Sequence, residues 1–201
     1  GELKFIAAFA GRTQVKIAAE AVAEKGFEGA SEAVTVIRKD LEKRFEQLRT
    51  SYEAIVLADA KGTIYVSAAN EEAEVKAMDL ARQPLFQEAK TIGKAVSGEV
   101  VLSKVDNHPE MLLCAPIYSG NGTFIGMVAA TLKFSLLSDL ITQKKNGTTG
   151  YCFMSNNQGI IIAHPDTKNV LQLDLKTLKG MESINTAMMA GKSGAEEYVY
   201  K

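Results

Sequence analysis

The sequence predicts an α+β fold: a long N-terminal helix followed by two modules, each built on an antiparallel sheet, the second smaller and cut short at its C-terminal end. Three observations carry this. Apolar residues recur every three to four positions through the first fifty residues and then switch, at Tyr52, to extended runs. A strand–turn–strand–helix pattern occurs twice, starting at Ala54 and at Tyr151. The composition, 46% apolar and 23% charged over 201 residues, is that of a globular chain able to bury a sizeable core.

In the N-terminal segment Val34, Ile37, Leu41, Phe45, Leu48 and Tyr52 form one helical stripe. Asp40 and Arg44 lie one turn apart off that stripe and are expected in water. Upstream, Leu3, Ile6, Phe9, Ala10, Ile17, Ala21 and Val22 make another helical pattern. Gly26-Phe27-Glu28-Gly29 interrupts it, since each glycine costs about 1 kcal/mol inside a helix, and Ser31 is a good N-cap for the next helical segment. A break or kink is expected there. The stripe is expected to pack on the chain's own sheet or on a second copy of the chain.

From Tyr52 onward, Ala54–Ala58 and Thr63–Ser67 read as strands joined by the turn Asp59-Ala60-Lys61-Gly62. Glu71–Lys90 is polar and helix-favouring, with Pro84 starting a fresh turn. Val100–Leu102, Met111–Tyr118 and Thr123–Leu132 complete five strands. Ser119-Gly120-Asn121-Gly122 is expected to close its hairpin as a type I′ turn, because Asn-Gly tolerates positive φ. The pattern then restarts: helix over Phe134–Thr142, a break at Lys144–Gly147, strands Tyr151–Met154 and Ile160–Ala163 around the turn Asn156–Gly159, a mostly helical stretch through Met181 and Met189, and finally Glu196–Tyr200. This second copy stops two strands short of the first. The organisation is therefore 1–52 helical stalk, 53–134 first module and 135–201 second module.

Composition excludes several functions. Lys plus Arg (23) balances Asp plus Glu (24), and a net charge of −1 offers nothing to nucleic acid. The apolar run Met111–Tyr118 is far too short to cross a bilayer, and the opening residues do not read as a signal peptide. His108 and His164 lack ligand spacing with Cys, Asp or Glu, so neither metal nor cofactor is expected. Cys114 and Cys152 sit in apolar runs as small buried hydrophobes, with a disulfide left open. The glycines of 120–126 join two strands and open no helix, which fails the context of a phosphate-binding loop. Asn121-Gly122-Thr123 and Asn146-Gly147-Thr148 read as turns, and Met181, Met188 and Met189 as core. No nucleophile–base pair stands out, so no enzyme is expected.

Several segments together resemble the double Cache domain, the extracytoplasmic sensor of bacterial chemoreceptors and sensor histidine kinases. They are Ile55–Gly62, Leu85–Ala89, Ala115–Tyr118 with Gly122–Val128, and Gly150–Met154 with Gly159–Pro165. The resemblance spans essentially the whole chain. It implies two PAS-like modules, a periplasmic or extracellular location on an inner-membrane receptor anchored outside this segment, and a small-molecule ligand in the distal module; a homodimer through the N-terminal helix is left open. Amino-acid-binding members carry an Arg-x-Trp-Tyr-like motif and a carboxylate at the end of the fifth strand. Here the segment is Arg82-Gln83-Pro84-Leu85-Phe86, with Leu85 for Trp, Phe86 for Tyr and Gln83 at the motif arginine, and Ala130-Thr131-Leu132 offers no carboxylate. The resemblance thus implies a neutral or carboxylate-bearing ligand rather than an α-amino acid. The implied site is Arg82, Gln83 and Phe86, with Tyr65, Ser67, Leu102, Cys114, Pro116, Met127, Ala129 and Thr131 from the strands. Strand alternation admits only half of the strand residues. Arg82 equally suits a surface pair with Asp79 or Glu88, and Phe86 equally suits the core. The rival reading is a protein-interaction or dimerisation module with a vestigial pocket.

Overall fold

The computed structural model describes residues 1–147, 150–195 and 197. It divides into two compact units, residues 1–99 with 103–133, and residues 100–102 with 134–201. In the first, the helical segment is three helices: α1 (Glu2–Ala10), α2 (Thr13–Gly29) and α3 (Ser31–Leu48). The expected kink is at Gly26, whose φ of 69° and ψ of −179° lie outside any helix and suit a residue without Cβ. Ala30, not Ser31, is the N-cap of α3, and Ser31 becomes its first helical residue with no side-chain cap bond.

The α3 stripe packs as its spacing requires through Ile37, Leu41 and Phe45, which are buried, with Val34 and Leu48 against the same cluster; Tyr52, expected to end the stripe, is buried there too but lies beyond the helix as the first residue of a strand. The upstream stripe changes phase. Extended backbone at Arg12 separates α1 from α2, and α2 buries Val15, Ala18, Ala19 and Val22. Ile17 and Leu3 are left 47% and 38% exposed. A backbone break rotates the next helix freely, so a pattern read across it picks the wrong face. Off the α3 stripe, Arg44 Nε donates to Asp40 Oδ2 at 2.8 Å, and that hydrogen bond lowers the Asp40 pKa.

The strands of this unit are β1 (Tyr52–Asp59), β2 (Ile64–Ala69), β3 (Val96–Leu102), β4 (Pro109–Tyr118) and β5 (Phe124–Lys133). Between β2 and β3 come α4 (Glu72–Ala77), a 3-10 turn (Leu80–Arg82) and α5 (Pro84–Ile92), with Pro84 in the first turn of α5. The sheet order is β2-β1-β5-β4-β3, and the pairings β1–β2, β1–β5 and β4–β5 are antiparallel. One face, with Ile55, Leu57, Leu113, Ala115, Val128 and Ala130, is covered by α1–α3. The other, with Val56, Ala58, Cys114, Met127 and Ala129, is covered by Leu80, Leu85, Phe86 and Ala89. Because β1 and β5 are buried on both sides, they read as continuous apolar runs and not as alternation.

Three hairpins turn in the same way. Asp59, Ser119 and Asn156 each begin a turn closed by Gly62, Gly122 and Gly159, whose φ values are 90°, 83° and 88°. The glycine N–H donates to the first residue's carbonyl in each case, at 3.0–3.1 Å. Asp59 Oδ1 also accepts from Lys61 and Thr63 N–H, as Asn156 Oδ1 does from Gln158 and Ile160 N–H. The expected type I′ turn at Asn121-Gly122 is not formed. Among non-glycine residues described, positive φ occurs at Asn107 and Leu171 and not at Asn121. One positive φ per turn is the pattern of a type I turn followed by a left-handed glycine.

In the second unit α6 spans Ser135–Thr142, β6 (Lys145–Asn146) pairs with β7 (Gly150–Tyr151), and β8 (Met154–Ser155) pairs with β9 (Ile161–Ala163). The single strand expected over 151–154 is therefore divided between two partners. The stretch expected to be mostly helical becomes α-helix only at α7 (Glu182–Met189). Before it, Asp166 and Asp174 accept from the N–H of Lys168 and Lys176 and set two short 3-10 turns, Thr167–Asn169 and Leu175–Thr177. Such side-chain-to-backbone bonds compete with helix. The C-terminal Glu196 and Tyr198–Tyr200, and Thr148, lie outside the described residues. Both cysteines are free thiols. Among the described residues no helix is long and apolar enough to cross a membrane.

Candidate ligand-binding site

The register of the first unit sorts the expected strand residues between the two faces. Ser67 stands opposite Val56, Cys114 opposite Ala129 and Pro116 opposite Met127, and Thr131 opposite Ala54. Directly paired residues share a face, so these join Met127 and Ala129 on the α4–α5 side. Phe86 meets them from α5, fully buried, its ring edge-on to Phe124 with centroids 6.0 Å apart. Burial pushes the Cys114 thiol up to about 12, far from nucleophilic at neutral pH.

Three expected residues are placed elsewhere. Tyr65 packs with the helix-side cluster, its ring 6.2 Å from that of Phe27. A register shift between Leu57 and Ala58 moves it off the alternation of β2. Leu102 is 38% exposed and falls with the second unit. The Arg82 side chain is 88% exposed and pairs with Asp79 at 3.5 Å. Gln83, next to it, is the N-cap of α5.

The far end of the same face is polar, through residues the sequence does not single out. The β4–β5 register sets Glu110 opposite Lys133, and Lys133 Nζ is 3.1 Å from Glu53 Oε1. From α4, Glu74 accepts a hydrogen bond from buried Ser103 at 3.1 Å. The end of β5 therefore does have carboxylates beside it, brought from β1, α4 and β4. Alternation along β4, with Leu112 and Cys114 on this face, is the one sequence signal able to place Glu110. Glu110 Oε2 is buried without a hydrogen-bond partner. Desolvation first, then the charges of Glu74, Asp106 and Glu53, raise its pKa to about 7.

That shift fixes a pH dependence. The folded-state value stands above the ordinary 4.5, so the folded form holds the proton more tightly than the unfolded. Stability is highest below pH ~4.5 as far as this group is concerned and falls as pH rises through ~7. After discounting for solvent screening, Glu110→Gln is expected to stabilise by about 1–2 kcal/mol above pH 7 and by nothing near pH 4. Melting curves across that range check it.

The family profile of the Cache domain matches residues 8–201. This chain is a Cache domain. Solved structures with the same fold include the periplasmic sensory domain of the Campylobacter jejuni chemoreceptor Tlp1, 16% identical with a TM-score of 0.63 over 100% of this chain and 78% of that one. The extracellular domain named for the histidine kinase vpHK1S-Z8 is 14% identical with a TM-score of 0.70 over 98% and 74%. The ligand-binding domain of the Pseudomonas aeruginosa amino-acid chemoreceptor PctC, in complex with GABA, is 20% identical with a TM-score of 0.54 over 85% and 73%. Among curated proteins none matches. Cache domains are ligand-binding sensor modules of membrane receptors, and the first unit of this one carries the family's five-stranded sheet with its covering helices.

Proposed function

We propose that this Cache domain is the extracytoplasmic sensor of a bacterial membrane receptor and binds a small neutral metabolite between the sheet and α4–α5. The observation that carries the reading is an apolar sheet face ending in acceptor groups, Thr131, Glu74 and Glu110. Apolar walls with a few placed polar groups are what small-molecule sites are made of. Of the two ligand classes the family resemblance implies, a neutral molecule with O–H or N–H donors suits this end, where a ligand carboxylate would meet like charge. A carboxylate ligand would need Arg82 to leave Asp79 and turn inward. Ser67, Cys114, Pro116, Met127, Ala129 and Phe86 form the walls of the proposed site, and Arg82, paired with Asp79 in water, stands outside it with its neighbour Gln83. Since Leu85 and Phe86 occupy the face in this structure, ligand must displace α5, and that displacement is the signal. Couplings of ~1–3 kcal/mol suffice for such switches.

Thermal shift against neutral, carboxylate, amine and amino-acid panels tests this. A neutral ligand is expected to raise the melting temperature in the native chain and not in Thr131→Val, with Arg82→Ala unaffected. A carboxylate hit abolished by Arg82→Ala would overturn the neutral assignment and keep the sensor. A second reading draws on the packing of Leu80, Leu85 and Phe86 into the face: a dimerisation module with a plugged pocket. It is favoured if no class shifts the melting temperature while sedimentation shows a dimer dispersed by charges at exposed Ile17 and Val36.

A further inference from the structure

The second unit contains a cavity of about 270 Å³ whose described lining comes from residues 151–181. Its walls are apolar and aromatic, including Phe153, Leu175, Leu178 and, half-exposed at one side, Tyr151. The lining residues that carry polar side-chain groups are His164, Asn169 and, through its hydroxyl, Tyr151. His164 is 9% exposed, and its ring stands edge-on to Tyr151 with centroids 5.1 Å apart.

Local hydrogen bonding sets what these groups present. His164 Nδ1 has two N–H donors beside it, the Asp166 backbone at 2.9 Å and the Asn169 amide at 3.3 Å, against one acceptor, the Asp166 carbonyl at 3.1 Å, and the shorter contact and the majority make it an acceptor. An imidazole nitrogen that accepts a hydrogen bond carries no proton, so in the neutral ring the proton is on Nε2. Asn169 Nδ2, another N–H donor, lies 3.5 Å from that Nε2. Asn169 Nδ2 lies nearer still to Nδ1, at 3.3 Å, and one of its N–H groups donates there; Nε2–H and the second amide N–H are left to the cavity, and an acceptor oxygen seated between them would take a bond from each. The described lining has no lysine or arginine, so an ionised carboxylate would be desolvated without a counter-charge, at a cost of several kcal/mol. A neutral carbonyl meets no such penalty, and the rings of Tyr151, Phe153 and His164 suit a planar body.

We propose that this cavity is a second ligand site, for a small planar uncharged molecule bearing a carbonyl or carboxamide oxygen held by His164 Nε2–H and Asn169 Nδ2–H. It is independent of the site assigned to the first unit.

The test is titration of the whole chain with benzamide, and with benzoate as its charged isostere, following the His164 ring and Asn169 side-chain amide by ¹H–¹⁵N NMR. Benzamide is expected to shift both sets of signals saturably, and benzoate at least tenfold more weakly. Asn169→Leu, which removes one donor at nearly constant volume, should weaken benzamide about tenfold, the loss of roughly 1.4 kcal/mol. Leu178→Phe, which fills the cavity and leaves both donors in place, should abolish the shifts, while Thr131→Val should leave them unchanged. Absence of saturable shifts with either probe, benzoate binding as tightly as benzamide, or shifts lost in Thr131→Val and kept in Leu178→Phe would each overturn the proposal.

Discussion

Phe86→Ala is expected to lower the stability of the first unit by about 3–5 kcal/mol, the range for emptying a well-packed aromatic position. Phe86 is 1% exposed. It holds α5 to the sheet by contact with the cluster containing Val56, Cys114, Met127 and Ala129. Alanine would leave that apolar face without a cover, and the sheet cannot close over it because β1 and β5 are pinned from behind by α1–α3. In urea titration the midpoint should fall with the slope unchanged, since the surface exposed on unfolding is nearly the same. A loss below ~1 kcal/mol would show that α5 relaxes into the space, and then the face is looser than its packing indicates.

Gly126→Ala should cost about 3 kcal/mol, the upper end for overpacking. A Cβ there would lie 2.5 Å from the Ala58 carbonyl oxygen. Gly126 pairs with Asp59 on one side and Ile117 on the other. Strand β5 is held between two neighbours, so neither can withdraw without breaking its own ladder. Gly120→Ala is the control: a Cβ at Gly120 meets nothing within 4 Å, and the change should be within ~0.5 kcal/mol. Equal costs at the two glycines would show that backbone entropy and not close approach governs both.

Much of the fold is legible in the residues themselves. The α3 stripe from Val34 to Leu48 has one period without interruption, and its members pack where that period sends them, while Tyr52 joins the same cluster as the first residue of β1. Pro84 starts α5 because its missing N–H is free of consequence there and ruinous further along. Legibility fails where the signal is reset or supplied from far away. Helix phase is lost at Arg12, where the backbone is extended. Beyond His164 the composition suggests helix, yet Asp166 and Asp174, poor helix residues with good reach to the backbone, make turns instead. A single irregularity in β2 pairing sends Tyr65 to the face opposite the one expected.

Residue identity and spacing alone determined the main helices and strands of the first unit and their order, because these follow from local periodicity and turn chemistry, which act over a handful of positions, while the family came from the resemblance of several segments taken together. What only the tertiary structure decided is which side chains meet: that Glu53, Glu74 and Glu110, far apart in the chain, crowd the end of β5, that Arg82 faces water, and that His164 and Asn169 share a cavity. Those meetings are set by strand register and by how helices seat on the sheet. A shift of one residue in register exchanges the two faces while leaving every local pattern unchanged.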